Sequence, residues 1–403
     1  MSGIYEEGGE VLKETMTPRG RVQAAIDLQV PDRVPVLPFW TIYFACRYKG
    51  MNGYQMIKDY ERARQANIEV FDELGGFDGQ VYPGISFVFP DRLSRIIREP
   101  LYKIPGIDLP LDSVLQHDEC EILSPEDYDL IADLGWKAFA EKYYGKFNSR
   151  PASQILDWGR RQTARYMEDI KAWNEHGVPV YQGGQVFSPL MFFSMFRTLQ
   201  QFTLDLYRRP DRVEAAMDAL VDDVIQDGID SAKLTGLPWV MLVLERGGSF
   251  YYPLKIFERF EWPYLKKITE AWVKAGITPQ LHFDQDWTLN LPYFKELPKG
   301  CICEFDSCTD IFKTKEILGG IQCIMGDVSA SLLTYGTRDE VEEYCTKLID
   351  VVGKGGGFIL SSGCNVPVDA KFENVKAMID TAKNYAPAGA LQEEKPCLSL
   401  EKR

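Results

Sequence analysis

Trp239-Val-Met-Leu-Val-Leu-Glu245, Ile277-Thr-Pro-Gln-Leu-His-Phe-Asp284 and Gly356-Gly-Phe-Ile-Leu-Ser-Ser-Gly-Cys364 are short apolar runs that end on side chains able to bind a metal. A run of this length that halts at a polar residue reads as a buried strand delivering that residue to one face. Where the pattern recurs round an α/β repeat, the face is the C-terminal mouth of a barrel, where barrel enzymes keep their active sites. Glu245, His282 and Cys364 represent three side-chain types that bind zinc.

The same rhythm continues outward from these runs. Strands are expected at 34–39, 79–82, 178–182, 239–245, 278–284, 301–306, 321–327 and 356–362, with helices at 55–70, 155–175, 262–275, 337–352 and 371–384 between them. Thr17-Pro18 opens an earlier helix to about Leu28, with the hydroxyl as N-cap and proline at the first helical position. Thr337 and Glu340 form a capping box, and Ser124-Pro-Glu-Asp127 is read as a further helix cap. Short apolar strands separated by helices argue for a buried parallel sheet, and eight such units favour closure. The expected fold is therefore α/β, a (β/α)8 TIM barrel with an N-terminal helical extension. It is expected to occupy residues 1–385 as one domain, with an arm over 1–30 and an irregular, lid-like excursion over 84–120. A mobile tail is expected over 386–403.

A length of 403 residues would allow two domains, but one barrel with insertions also fits. No apolar run approaches the roughly 18 residues that span a bilayer. The acidic start Met1-Ser-Gly-Ile-Tyr-Glu-Glu-Gly-Gly-Glu10 has no apolar core, so a cytoplasmic protein is expected. Nine scattered cysteines form no disulfide framework. A net charge of −14 argues against nucleic acid and anionic membranes as partners, and sits poorly with a polyanionic substrate.

Of the three histidines, His117 and His176 fall in irregular or surface segments and read as ordinary polar residues. His282 closes a strand, and Asp284 shares its face because extended side chains alternate with period two. A strand-end histidine can equally be a satisfied structural group. Gly363 lets the chain turn so that the Cys364 thiol lifts from the sheet edge, although a buried inert cysteine has the same composition. Glu245 could instead pair with Arg246, and Glu261, just before a proline-opened helix, could be a simple dipole partner. Asp306 and Asp327 are further strand-end carboxylates. Phe39, Trp40, Tyr43, Phe44, Phe187, Tyr251, Tyr252 and Trp287 fall at or after strand ends, a density that suits a planar apolar ligand.

The segments Thr17-Pro-Arg-Gly-Arg-Val22, Pro31-Asp-Arg-Val-Pro35, Phe260-Glu-Trp-Pro-Tyr-Leu-Lys-Lys-Ile268, Gly326-Asp-Val328 and the stretch from Gly356 to Pro367 resemble the uroporphyrinogen decarboxylase superfamily over nearly the whole chain. The resemblance implies a barrel with its site at the C-terminal mouth. The decarboxylase's arginine-rich signature is missing: Leu37-Pro-Phe-Trp-Thr-Ile-Tyr-Phe-Ala-Cys-Arg-Tyr-Lys49 stands in its place, so a porphyrinogen would meet an aromatic wall.

The corrinoid-dependent methyltransferases of the superfamily are more similar. Their zinc-binding His-x-Cys pair and later cysteine correspond to His282 and Cys364, with Asp284 standing where the middle cysteine should be. A carboxylate makes a harder centre suited to oxygen. This implies the methyltransferase component of an anaerobic aryl O-demethylase, moving methyl from an aryl methyl ether to Co(I) of a corrinoid protein.

The resemblance implies zinc held by Glu261, His282 and Cys364, with Glu245 or Asp284 as further candidates, and Asp306 or Tyr82 as an assisting acid. The aromatic residues Phe39, Trp40, Tyr43, Phe187, Tyr251 and Trp287 would orient the ring. No Asp-x-His-x-x-Gly signature occurs, so the corrinoid (cobalamin) is expected in trans on a partner protein. The alternatives are transfer from a methyl-corrinoid to a thiol or tetrahydrofolate, a decarboxylase-like lyase, and a barrel that binds a partner without turnover.

Overall fold

The computed structural model describes residues 14–84, 102–117 and 119–385. The expected mobile tail over 386–403, residues 1–13 of the expected arm, and residues 85–101 and 118 of the excursion lie outside the described residues.

Six parallel strands, Gln182–Phe187, Trp239–Val243, Thr278–Phe283, Ile302–Phe305, Cys323–Val328 and Phe358–Ser362, pair in chain order. Two single-residue bridges extend the sheet at its ends, Val36 to Leu360 and Gln80 to Val180, both parallel. The Asp78 N–H donates to Val36 O at 3.0 Å and joins those two segments. The first strand position thus meets both the last and the second, and the ring closes as a (β/α)8 barrel. Every residue of Trp239–Val243 is buried, as expected for strands covered by helices outside and by packed side chains within.

The third strand runs later than the sequence pattern suggests, Gln182–Phe187 rather than 178–182, and passes through Gly183 and Gly184 instead of stopping there. The glycines are in the strand because helix Pro210–Thr235 presses on it. A Cβ at Gly183 would lie 2.5 Å from Leu237 O, and one at Gly184 would lie 2.5 Å from Ser231 Cβ. The helix expected over 55–70 is two, Gly53–Lys58 and Tyr60–Glu73, divided at Asp59, whose side chain caps the second. Ser124 is no side-chain cap. The bond runs the other way, from Ser124 N–H to Asp127 Oδ2 at 2.7 Å, and the helix is Asp127–Leu134. The capping box at Thr337 is present, opening Arg338–Val351.

The barrel seam is held by a buried ionic cluster. Arg21 Nη1 donates to Asp78 Oδ1 at 2.6 Å and Arg21 Nε to Asp32 Oδ1 at 2.6 Å. Arg33 Nη1 donates to Asp78 Oδ2 at 2.8 Å, and the Val36 N–H donates to the same oxygen at 2.8 Å. Asp78 therefore ties the N-terminal helix Pro18–Ile26, the first strand position and the second. Arg21, Asp32 and Arg33, from the segments Thr17–Val22 and Pro31–Pro35 that carried the resemblance, form this clamp with Asp78.

The described part of the excursion is a small antiparallel ladder, with Tyr102 opposite His117 and Lys103 opposite Gln116. Its connecting loop is pinned to the barrel helices. Arg47 Nη1 donates to Asp112 Oδ1 at 2.8 Å, and the Tyr54 N–H donates to Leu111 O at 3.0 Å.

Candidate metal centre and pocket

Strand Thr278–Phe283 carries His282 near its end, and Asp284 follows directly. Strand Phe358–Ser362 is followed by Gly363 and Cys364. Gly363 must lack a side chain, since a Cβ there would lie 3.0 Å from the backbone at Asp306 and Ser307. The closure of the barrel brings these two strand ends together. One ligand atom from each of His282, Asp284 and Cys364 lies within 4.8 Å of the others. Cys364 Sγ is 3.7 Å and Asp284 Oδ1 3.2 Å from His282 Nε2.

His282 is oriented from behind. Its Nδ1 is 3.0 Å from Glu304 Oε2, on the neighbouring strand directly across the register. An ionised carboxylate only accepts, so Nδ1 carries a proton, and Nε2, which faces Asp284 and Cys364, is the nitrogen whose lone pair becomes available to a metal when its own proton leaves. Gln280 Nε2 fixes the same Glu304 oxygen at 2.9 Å. A carboxylate behind a histidine is the usual means of orienting a metal-binding imidazole.

The charge balance at this cluster is one-sided. Burial alone would lower the proton affinity of His282, but the negative charges of Asp284 and Glu304 outweigh it and raise it. Burial, with Asp284 next, raises Glu245, and burial raises the Cys364 thiol. Asp284 Oδ1 is buried in an orientation that completes no hydrogen bond. A buried acceptor left in this way costs about 1–3 kcal/mol. A divalent cation would satisfy that oxygen and offset the surplus negative charge, and His N, carboxylate O and Cys S are all zinc donors. The residues present fit zinc, with three protein ligands as in catalytic rather than structural sites.

Two of these donors, His282 and Cys364, line a cavity of about 290 Å³. Phe39, Tyr43 and Tyr82 form its aromatic side, Met241 and Val243 its apolar floor, and Gln185 and Asn365 add polar groups. The Phe39 ring lies 5.0 Å from the His282 ring and 4.9 Å from that of Tyr82. The Tyr82 hydroxyl donates to Gln185 Oε1 at 2.5 Å and burial holds it protonated, so it is a fixed phenol rather than a phenolate. Glu245 also lines the cavity beside His282 and Cys364, while its neighbour Arg246 turns to Glu119 at 2.5 Å.

Other sequence candidates are placed elsewhere. Glu261 is fully buried, but its Oε2 accepts from Ser188 Oγ at 3.1 Å, and it does not join the donor cluster. Burial pushes it up to about 8, and it packs against Gly247, where a Cβ would stand 2.8 Å from Oε2. Trp287 is core rather than ligand wall: its Nε1 donates to Asp284 O at 2.8 Å and its ring packs on Phe283, 4.8 Å between centroids. Trp40 is likewise core, bonded through Nε1 to Asn67 and packed on Phe44 and Phe77. Phe187 is buried and Tyr251 half-buried, and neither lines this cavity.

Asp306 accepts from the N–H groups of Gln285 and Cys308, each at 2.8 Å, so it organises a turn rather than facing the cavity. His176 pairs with Asp72 at 2.8 Å. Two residues passed over in the sequence belong to the site. Glu304 was marked only by being a charge inside the apolar strand Ile302–Phe305. His117 lines the cavity from the excursion, which no local pattern signals.

The family model described as Uroporphyrinogen decarboxylase (URO-D) matches residues 162–385. A methylcobamide:CoM methyltransferase MtbA of Methanosarcina acetivorans is 27% identical over 144 residues, which are 34% of this chain and 38% of the relative. A uroporphyrinogen decarboxylase of Anaeromyxobacter dehalogenans is 29% identical over 128 residues, 32% of this chain and 36% of that relative. The chain thus spans well under half the length of either curated relative. A solved methyltransferase from Methanosarcina mazei superposes with a TM-score of 0.65 over 91% of this chain and 98% of that one, at 18% identity, which speaks for the fold.

Proposed function

The chain belongs to the uroporphyrinogen decarboxylase family, and on that premise we propose that it is a zinc-dependent methyltransferase that demethylates aryl methyl ethers. The methyl group would pass to Co(I) of a separate corrinoid protein. The observation that carries this reading is the cluster of His282, Asp284 and Cys364, two of which, His282 and Cys364, line an aromatic-walled cavity of about 290 Å³. That volume lies at the lower end for small-molecule pockets and suits a single substituted ring rather than a tetrapyrrole.

His282, Asp284 and Cys364 would hold the zinc, with Glu245 at hand as a further carboxylate. Bound there, zinc supplies Lewis acidity at the ether oxygen, which makes the aryl oxide a better leaving group. Glu304 keeps the imidazole turned toward the cavity. Phe39 and Tyr43 hold the ring edge and exclude water from the methyl carbon. Tyr82, kept protonated by burial, donates its one proton to Gln185 Oε1 and would serve a developing phenolate only by turning its hydroxyl away from Gln185.

The name of the first relative favours a second reading, transfer from a methyl-cobamide to a thiol. One thiolate beside a carboxylate makes a harder donor set than a thiolate pair, and hardness favours oxygen. Zinc-loaded protein incubated with cob(I)alamin and 2-methoxyphenol should yield methylcobalamin and catechol, with the yield lost in His282→Ala. Methylation of a thiol from methylcobalamin, with no attack on the ether, would replace this reading by the second one.

A further inference from the structure

We propose that His117, carried by the excursion ladder, is a specificity-determining residue that hydrogen-bonds a hydroxyl substituent on the ring of the bound substrate; this rests on the aryl ether reading above. Leu115 and His117 both line the cavity and Gln116 between them does not; His117 is itself exposed, at the cavity rim. That alternation is the period of an extended chain, so the backbone of Gln116–His117 sets the imidazole toward the ligand space. The placement is braced. Asp112 accepts from Arg47 through both its carboxylate and its carbonyl oxygen, each at 2.8 Å. The ladder's connecting loop also presses on Gly53 so closely that a Cβ there would overlap Ser113 O.

The chemistry follows from where the other polar groups stand. A ring whose ether oxygen lies at His282, Asp284 and Cys364 turns its other substituents toward the rest of the wall. Phe39 and Tyr43 offer such a substituent rings, Leu115 a methyl surface, and Thr41, Gln185 and Asn365 polar groups on the barrel side of the wall, whereas the excursion side presents His117. His117 offers a group that can both donate to and accept from a hydroxyl. Loss of one such hydrogen bond weakens binding about five- to tenfold.

The test is calorimetric binding of 2-methoxyphenol and of 1,2-dimethoxybenzene to the zinc-loaded full chain, as wild type, His117→Phe and His117→Gln. The expected result is about five- to tenfold weaker binding of the methoxyphenol by His117→Phe, partial recovery in His117→Gln, and the dimethoxy ring held within about twofold of wild type throughout. Equal affinities in wild type and His117→Phe would overturn the assignment while leaving the ether reading intact. Equal loss of both rings would also overturn it, since the ladder would then be acting only as packing. Failure of the wild type to bind either ring would overturn the ether reading itself, and the role of His117 with it.

Discussion

Among the buried ionisable clusters of the described residues, one where strands begin and one where they end differ in charge balance. At the seam, Arg21 and Arg33 face Asp32 and Asp78, and the oxygens of both aspartates receive donors. At the mouth, Asp284, Glu304, Glu245 and Cys364 surround His282, with buried oxygens of Asp284 and Glu304 left without hydrogen bonds. The first cluster is complete within the protein and closes the fold. The second gathers more carboxylates than cations round His282, a surplus that the proposed zinc would offset.

The largest effect expected from this contrast is at the seam. Asp78→Ala leaves two buried guanidinium groups without their shared partner and should destabilise the fold by about 3–5 kcal/mol in denaturant unfolding. Added zinc should not restore it. A loss below about 1 kcal/mol would mean that the clamp is not what closes the barrel.

Next comes the support behind the histidine. Glu304→Gln keeps the shape of strand Ile302–Phe305 but weakens the hold on His282 Nδ1. Zinc affinity should fall about ten- to a hundredfold, read by competition with a chelator. Unfolding of the metal-free protein should change little or move toward greater stability, because one buried negative charge is gone.

A smaller effect is in the pH profile, where the regions carry opposite signs. Burial works against Asp32, but Arg21 and the N–H groups of Met16 and Thr15 bring it down to about 2. Its contribution is complete above about pH 4 and is lost as pH falls toward about 2. Beside the mouth, burial pushes Glu261 up to about 8. The unfolded chain then ionises first, and stability declines as pH rises from about 4.5 to about 8. Asp169 and Asp327, pushed up by burial to about 6 and about 7, share that decline. Glu261→Gln should therefore make it shallower, most of all near pH 8, and leave the acid limb unchanged, as measured by thermal unfolding of the metal-free protein.

The mouth's half of this contrast was legible in the sequence, for a physical reason, whereas the seam, joined through Asp78 across 57 residues from Arg21, was not. Strand ends are local events, and an apolar run stopping at His282 or before Cys364 fixes both the element and the face. The period-two relation between His282 and Asp284 needs no tertiary information. What was hidden depends on contacts across the chain. The role of Glu304 is set by strand register, and that of His117 by a ladder pinned through Arg47 and Asp112. Trp40 and Trp287 were misread because proximity to a strand end does not fix which way a large ring turns; Asn67 and the carbonyl of Asp284 decide that. Gly183 and Gly184 read as a strand stop because their cause, the close approach of helix Pro210–Thr235, lies some fifty residues further along the chain.

The central claim is that the surplus negative charge at the mouth is offset by one metal ion held through His282. Elemental analysis of wild type and His282→Ala, both zinc-loaded and then freed of loosely held ions, tests it directly. The account predicts about one zinc per chain in the wild type and almost none in the variant, with both chains folded by circular dichroism. A folded wild type without zinc, or a variant that retains as much as the wild type, would contradict it.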